Sequence, residues 1–256
     1  ALTENEANAL KTLGDNRSDF MKRWFAIAIS VGFATALSSM PWLKSGTGLD
    51  SDLPIDWEQV RQCARLTAAA VATILSWDGY FQSISNKPLT DGLRFSIDIF
   101  LVFFYLFLLL TSKFDYFWLW IHATAFLFYC IWDFLSVKKH RKAYVTDKAP
   151  PDFFPSISQV YIGSFSGNPY IYCGPAITLL WPLYFVSLPI TYYWLLNSTV
   201  RALPQTTFIY AAFVICGLFA YRYDKKNSLS LIKRLYLIAI SLIVVLFTDI
   251  ILGLGG

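Results

Sequence analysis

The chain has 256 residues, of which 56% are hydrophobic, 18% aromatic and 15% charged, with a mean hydropathy of +0.48. Soluble domains carry about 25% charged residues, so this chain has too little charge to cover a globular surface in water. It has enough apolar sequence for several runs of ~20 residues, the length that crosses a hydrocarbon core. Composition therefore points to an all-α, polytopic transmembrane helical bundle, and the net charge of +4 matters less than where the 21 Lys and Arg fall.

Residues 1–23 form a polar, charged N-terminal segment, so insertion is expected to rely on the first apolar span rather than on a signal peptide. Within that segment Thr3 and Glu6 stand at capping-box spacing, which predicts a short amphipathic helix over 3–14. Seven apolar spans follow, at about 24–43, 64–84, 94–112, 115–137, 174–196, 206–222 and 235–252, together a transmembrane domain over 24–252. Trp24, Trp42, Trp118, Trp120 and Trp194 mark span ends, where aromatic side chains suit headgroup depth.

Basic residues set the orientation. With the N-terminus in the cytoplasm, the cytoplasmic side holds Lys11, Arg17, Lys22 and Arg23, then Lys87 and Arg94, then five residues from Lys138 to Lys148, then five from Arg222 to Arg234. The outer side holds only Lys44, Arg61, Arg65, Lys113 and Arg201. Sixteen of the 21 basic residues are thus cytoplasmic, which the positive-inside rule requires and which puts the C-terminus outside. The first outer loop, 45–63, is acidic, with Asp56 placed to cap a helix leading into span two. The expected location is the plasma membrane or a bacterial inner membrane.

The longest loop, 138–173, is cytoplasmic in this topology. It opens with Lys138, Lys139, His140, Arg141 and Lys142 and continues with Pro150, Pro151, Pro155 and aromatics that include Phe153 and Phe154. That is too aromatic for a flexible linker, so the loop is expected to meet anionic lipid or a cytoplasmic protein partner. No nucleic-acid partner is expected from a basic run directly after a span.

Three features carry the functional reading. Span two bears small residues at helical spacing, Ala64, Ala68, Ala72 and Ser76, a stripe that suits close helix packing or a subunit interface. Span five carries Pro182 and Pro189 seven residues apart. They free the carbonyls of Thr178 and Phe185 and mark either a static bent helix or a gating hinge. Asp78, Asp98 and Asp133 lie in three spans near the cytoplasmic boundary, and Arg94 precedes Asp98 by one helical turn. Together they predict a polar layer, read either as an interhelical ion-pair network or as a site for an ion, a proton or a ligand. His122, Asp249 and Arg65 fall towards the outer side, too scattered in sequence to join.

Absences constrain the chemistry. Two histidines, His122 and His140, do not ligate two haems or a di-iron centre, and the last span has no Schiff-base lysine. Gly163 to Gly167 mimics a nucleophile elbow but has Phe165 at its centre, where serine is needed. The four cysteines show no paired spacing and read as buried small hydrophobes. No catalytic residue, metal site or cofactor is expected. The function expected first is a non-enzymatic, homo-oligomeric channel or membrane-permeabilising effector, controlled through its cytoplasmic loop. A membrane-anchored sensor or scaffold for a cytoplasmic partner comes second, and a small secondary transporter third.

Overall fold

The computed structural model describes residues 3–40, 56–86, 90–139, 145–153, 155–156, 158–159, 168–171, 174–196 and 198–227, with isolated positions between 233 and 243. The described residues are all-helical apart from one isolated antiparallel bridge, Val145 to Ile171. The chain divides into two compact units, 1–121 and 122–256. Span seven, expected at 235–252, lies outside the described residues except at a few positions.

The first unit is built on α1 (Glu4–Ser38), α2 (Trp57–Asn86) and α3 (Gly92–Thr111). The expected capping box starts α1: the Glu6 carboxylate accepts from the Thr3 backbone N–H at 2.8 Å, and the Glu6 N–H donates to Thr3 Oγ1 at 3.4 Å. A separate helix over 3–14 is corrected, because α1 runs without a break through the expected boundary at residue 23. The cause is the unbroken buried stripe Gly14, Ser18, Met21, Phe25, Ala28, Gly32 and Ala36, alternating mainly in steps of four and three along the helix. The helix stops at Ser38, just ahead of Pro41, which disfavours helical backbone in the residue before it. Asp56 accepts from the Glu58 N–H at 3.0 Å and caps α2, and Asp91 accepts from the Leu93 N–H at 2.9 Å and caps α3.

Side-chain pairs give the directions. Phe20 meets Phe95, Trp24 meets Phe103, and Gly32 faces Leu106 and Leu109, so α1 and α3 run parallel. Phe25 meets Trp77, and Gln62 donates to Ser39, so α2 runs antiparallel to α1. Phe25, 4.3 Å from the Trp77 ring and 5.4 Å from that of Tyr105, pins all three helices. A Cβ at Gly32 would stand 2.8 Å from Leu109 Cδ1 and 3.2 Å from Leu109 Cβ. Gly32→Val is therefore expected to cost about 1–2 kcal/mol by wedging α1 from α3, read as a lowered thermal midpoint in detergent.

The second unit contains most of α4 (Trp118–Lys139), then α5 (Gly174–Ile190), a π-helical turn (Thr191–Leu195), the short α6 (Ser198–Ala202) and α7 (Pro204–Asn227). Pro175 and Pro204 sit in first turns, where a missing N–H does no harm. Phe126 of α4 stacks on Phe185 of α5 at 3.7 Å and meets Tyr221 of α7 edge-on at 5.3 Å. Trp181 lies beside Tyr221, and Tyr192 beside Tyr210, so α5 and α7 are antiparallel.

Among the described residues, three helical stretches are long and apolar enough to cross a membrane: Glu4–Ser38, Gly92–Thr111 and Pro204–Asp224. At 1.5 Å per residue the 20 residues of α3 span about 30 Å, one hydrocarbon thickness. Their uncovered faces carry Ile27, Val31, Phe100, Phe103, Phe107 and Phe219. In water such surface promotes association, whereas in lipid it faces its own kind. The chain is a membrane protein.

Candidate functional site

The buried stripe of α3 reads Arg94, Ile97, Asp98, Leu101, Val102, Tyr105, Leu108 and Leu109. Two ionisable side chains thus share one apolar face, one turn apart, with Asp98 only 1% exposed and Arg94 6%. Of the other residues expected in this polar layer, Asp78 is exposed on α2. Asp133 belongs to the second unit, and its side chain is not among the described ones.

The other end of the first unit holds a charge cluster that the sequence did not assemble. Arg65, on α2, is 0% exposed, yet every arm of its guanidinium is occupied. Nε donates to the Ser112 carbonyl at 2.7 Å, NH2 to Glu58 Oε1 at 2.7 Å and NH1 to Asp115 Oδ1 at 3.3 Å. Arg61 also pairs with Glu58. Helix α3 has no basic residue in its last turn, so Arg65 supplies from α2 the cation that a helix C-terminus favours. Arg65 thus joins α2 to the turn after α3.

The small-residue stripe of span two is used inside the chain. Ala64, Ala68 and Ala72 are buried, and Ser76 is half-buried, on a helix that packs against α1 and α3. Buried within the unit, the three alanines serve helix packing rather than a face left open for a second subunit.

In the second unit, Pro182 and Pro189 are both buried, and α5 continues as helix through each. Polar side chains attend the backbone around them. Ser187 Oγ donates to the Tyr184 carbonyl at 2.7 Å, and Thr191 Oγ1 reaches the Ser187 and Leu188 carbonyls at 3.0 and 2.9 Å. The Tyr210 hydroxyl donates to Thr191 Oγ1 at 3.0 Å, and the Tyr184 hydroxyl donates to the Phe213 carbonyl of α7, also at 3.0 Å. A Cβ at Gly217 would overlap the Tyr184 ring, so the ring occupies a notch that only glycine leaves open. The arrangement describes a packed helix rather than a loose hinge.

Asp224 lies two residues beyond the end expected for span six, at 222. It is fully buried and accepts from the Trp181 indole N–H at 3.1 Å, with Trp181 equally buried. The cysteine expectation also changes: Cys63 is half-buried and Cys216 exposed, both as free thiols. Cys130 and Cys173 have no described side chains.

No protein family matches the chain, and no curated protein or solved structure matches it either.

Of the 138–173 loop, Val145 and Ile171 form the antiparallel bridge, and Thr146 donates its N–H to the Tyr170 carbonyl and its hydroxyl to the Pro169 carbonyl, at 2.9 and 2.8 Å. Phe153 lies 5.5 Å from the Tyr170 ring. Residues 145–146 and 153 are thus brought against 169–171. Lys138 and Lys139 close α4 without described side chains, and Arg141, Lys142, Phe154 and the 163–167 stretch lie outside the described residues, as does Asp249. Among the described residues no group of three or more His, Cys, Asp or Glu side chains is placed to hold a metal ion.

Proposed function

We propose that this chain is a seven-span membrane protein, N-terminus cytoplasmic and C-terminus outside, whose homo-oligomer conducts ions or otherwise permeabilises the bilayer. One observation carries the reading: Arg94 and Asp98 are buried on the core stripe of a helix of hydrocarbon length. A charge costs roughly 2.5–3.5 kcal/mol at the bilayer centre on insertion scales and less towards the boundary, where these two lie, and buried intramembrane charges are candidate ion or proton sites. The parallel α1 and α3 with antiparallel α2 support alternating crossings. They also put Arg17, which donates to the Thr90 carbonyl, at the same end as Arg94, in keeping with a cytoplasmic basic side.

Ion flux from vesicles containing the purified full chain tests the proposal, and its absence under every ionic and voltage condition would sink it. Within that assay two carboxylates are expected to separate. Asp98→Ala, which removes a buried charge one turn from Arg94, should lower the yield of monodisperse protein several-fold. Asp78→Asn, at an exposed position, should leave yield unchanged and alter flux. Equal, large losses of yield for both variants would make the layer structural.

A second reading, a membrane-anchored scaffold, is favoured by the Val145–Ile171 bridge and the Phe153–Tyr170 contact, which hold parts of the 138–173 loop together as a surface a cytoplasmic protein could meet. A soluble partner that co-purifies with the intact chain and is lost on deletion of 143–172 would select it.

A further inference from the structure

Six residues, Ser112 to Phe117, join α3 to α4 and divide into two sets. Ser112 and Asp115 turn towards Arg65: the Ser112 carbonyl and the Asp115 carboxylate both accept from its buried guanidinium. Lys113, Phe114, Tyr116 and Phe117 turn away and are all exposed, Tyr116 at 72%. Lys113 Nζ lies 4.9 Å above the Phe114 ring. The only carboxylate of the tip is thus matched inward, and the charge it offers outward is a single ammonium, over the Phe114 ring and on the same tip as the exposed Tyr116 and Phe117. The apolar face of α3, with Phe100, Phe103 and Phe107, leads directly up to it. Aromatic rings with a snorkelling lysine at the end of a hydrocarbon-length helix fit one environment, the layer where acyl chains give way to headgroups.

We infer that the Lys113–Phe117 tip is a lipid anchor, seated among anionic headgroups at the outer interface, with Arg65 holding Asp115 out of their way. The inference rests on the membrane reading above but not on ion conduction. It requires that Tyr116 lie at headgroup depth, that Phe103 lie in the hydrocarbon, and that Lys113 supply the preference for anionic lipid.

The test uses the full chain in vesicles of phosphatidylcholine and phosphatidylglycerol, with a fluorescent coumarin amino acid at position 116 or, separately, at 103. Lipids spin-labelled at the headgroup or at the bilayer centre, and acrylamide in the water, serve as quenchers. At 116 the headgroup label is expected to quench several-fold more than the central label, with acrylamide weak. At 103 the central label should dominate. With Lys113→Glu, quenching at 116 by headgroup-labelled phosphatidylglycerol should fall several-fold, while quenching by labelled phosphatidylcholine stays the same. Strong acrylamide quenching at 116 alone would overturn the anchor and leave the membrane reading standing. Quenching by nothing at 116 would mean that protein, such as a second copy, covers the tip, and would overturn it as well. Acrylamide quenching at both positions would overturn the membrane reading itself.

Discussion

Gly217→Val is expected to destabilise the second unit by about 3 kcal/mol, at the top of the range for overpacking a filled core. The Tyr184 ring occupies the space that a Cβ at 217 needs, with Phe185 Cζ 3.2 Å from the same point. Neither ring has room to retreat: Tyr184 packs edge-on against Phe185 and Trp181, and Phe185 stacks on Phe126. Displacing Tyr184 also breaks its hydrogen bond to the Phe213 carbonyl, a term of about 1 kcal/mol. Thermal unfolding in detergent should show a large drop in midpoint for Gly217→Val and a partial recovery when Tyr184→Ala makes room. An unchanged midpoint would contradict the notch, and with it the packing of the proline-bearing helix against α7.

The double variant Glu58→Gln with Asp115→Asn is expected to cost about 3 kcal/mol, the low end for stripping a buried charge of its counter-charges. Arg65 is fully buried, so it has no water to fall back on. Arg65→Met should cost much less, about 1 kcal/mol, because the carboxylates it leaves behind are 50% and 36% exposed and hydrate readily. Each single carboxylate variant should also stay near 1 kcal/mol, since the other still faces the guanidinium. The ordering is the test. Unfolding midpoints that place Arg65→Met below the double variant would mean that the cluster holds by packing and not by charge. Adding Arg65→Met to the double variant should restore much of the lost stability, since no buried cation then remains.

Local chemistry in this chain was legible without coordinates. The Thr3 and Glu6 capping box and the Asp56 cap rest on groups two or three residues apart, so no other helix needed to be known. The extent of α1 was also written in the sequence, as the stripe from Gly14 to Ala36, but the charged stretch around Lys22 and Arg23 masked it. Charge on the open side of a helix does not end the helix, and the inward side decided. Arg65 had a partial signal, since Glu58 stands seven residues before it, two turns along the same face. Asp115, fifty residues away, had none. Asp224 gave no local sign of burial either, because the indole N–H that donates to it in the core belongs to Trp181 on another helix.

Lipid as the solvent, the helical class and the run of apolar segments follow from composition and pattern, because water and hydrocarbon act on every residue alike, whatever its neighbours. Which small residues are covered, which carboxylate is buried and which ring needs a glycine opposite it depend on how helices distant in the chain are apposed. Such pairings are set by shape and by mutual charge satisfaction, and only the folded helices bring the two halves of each pair together.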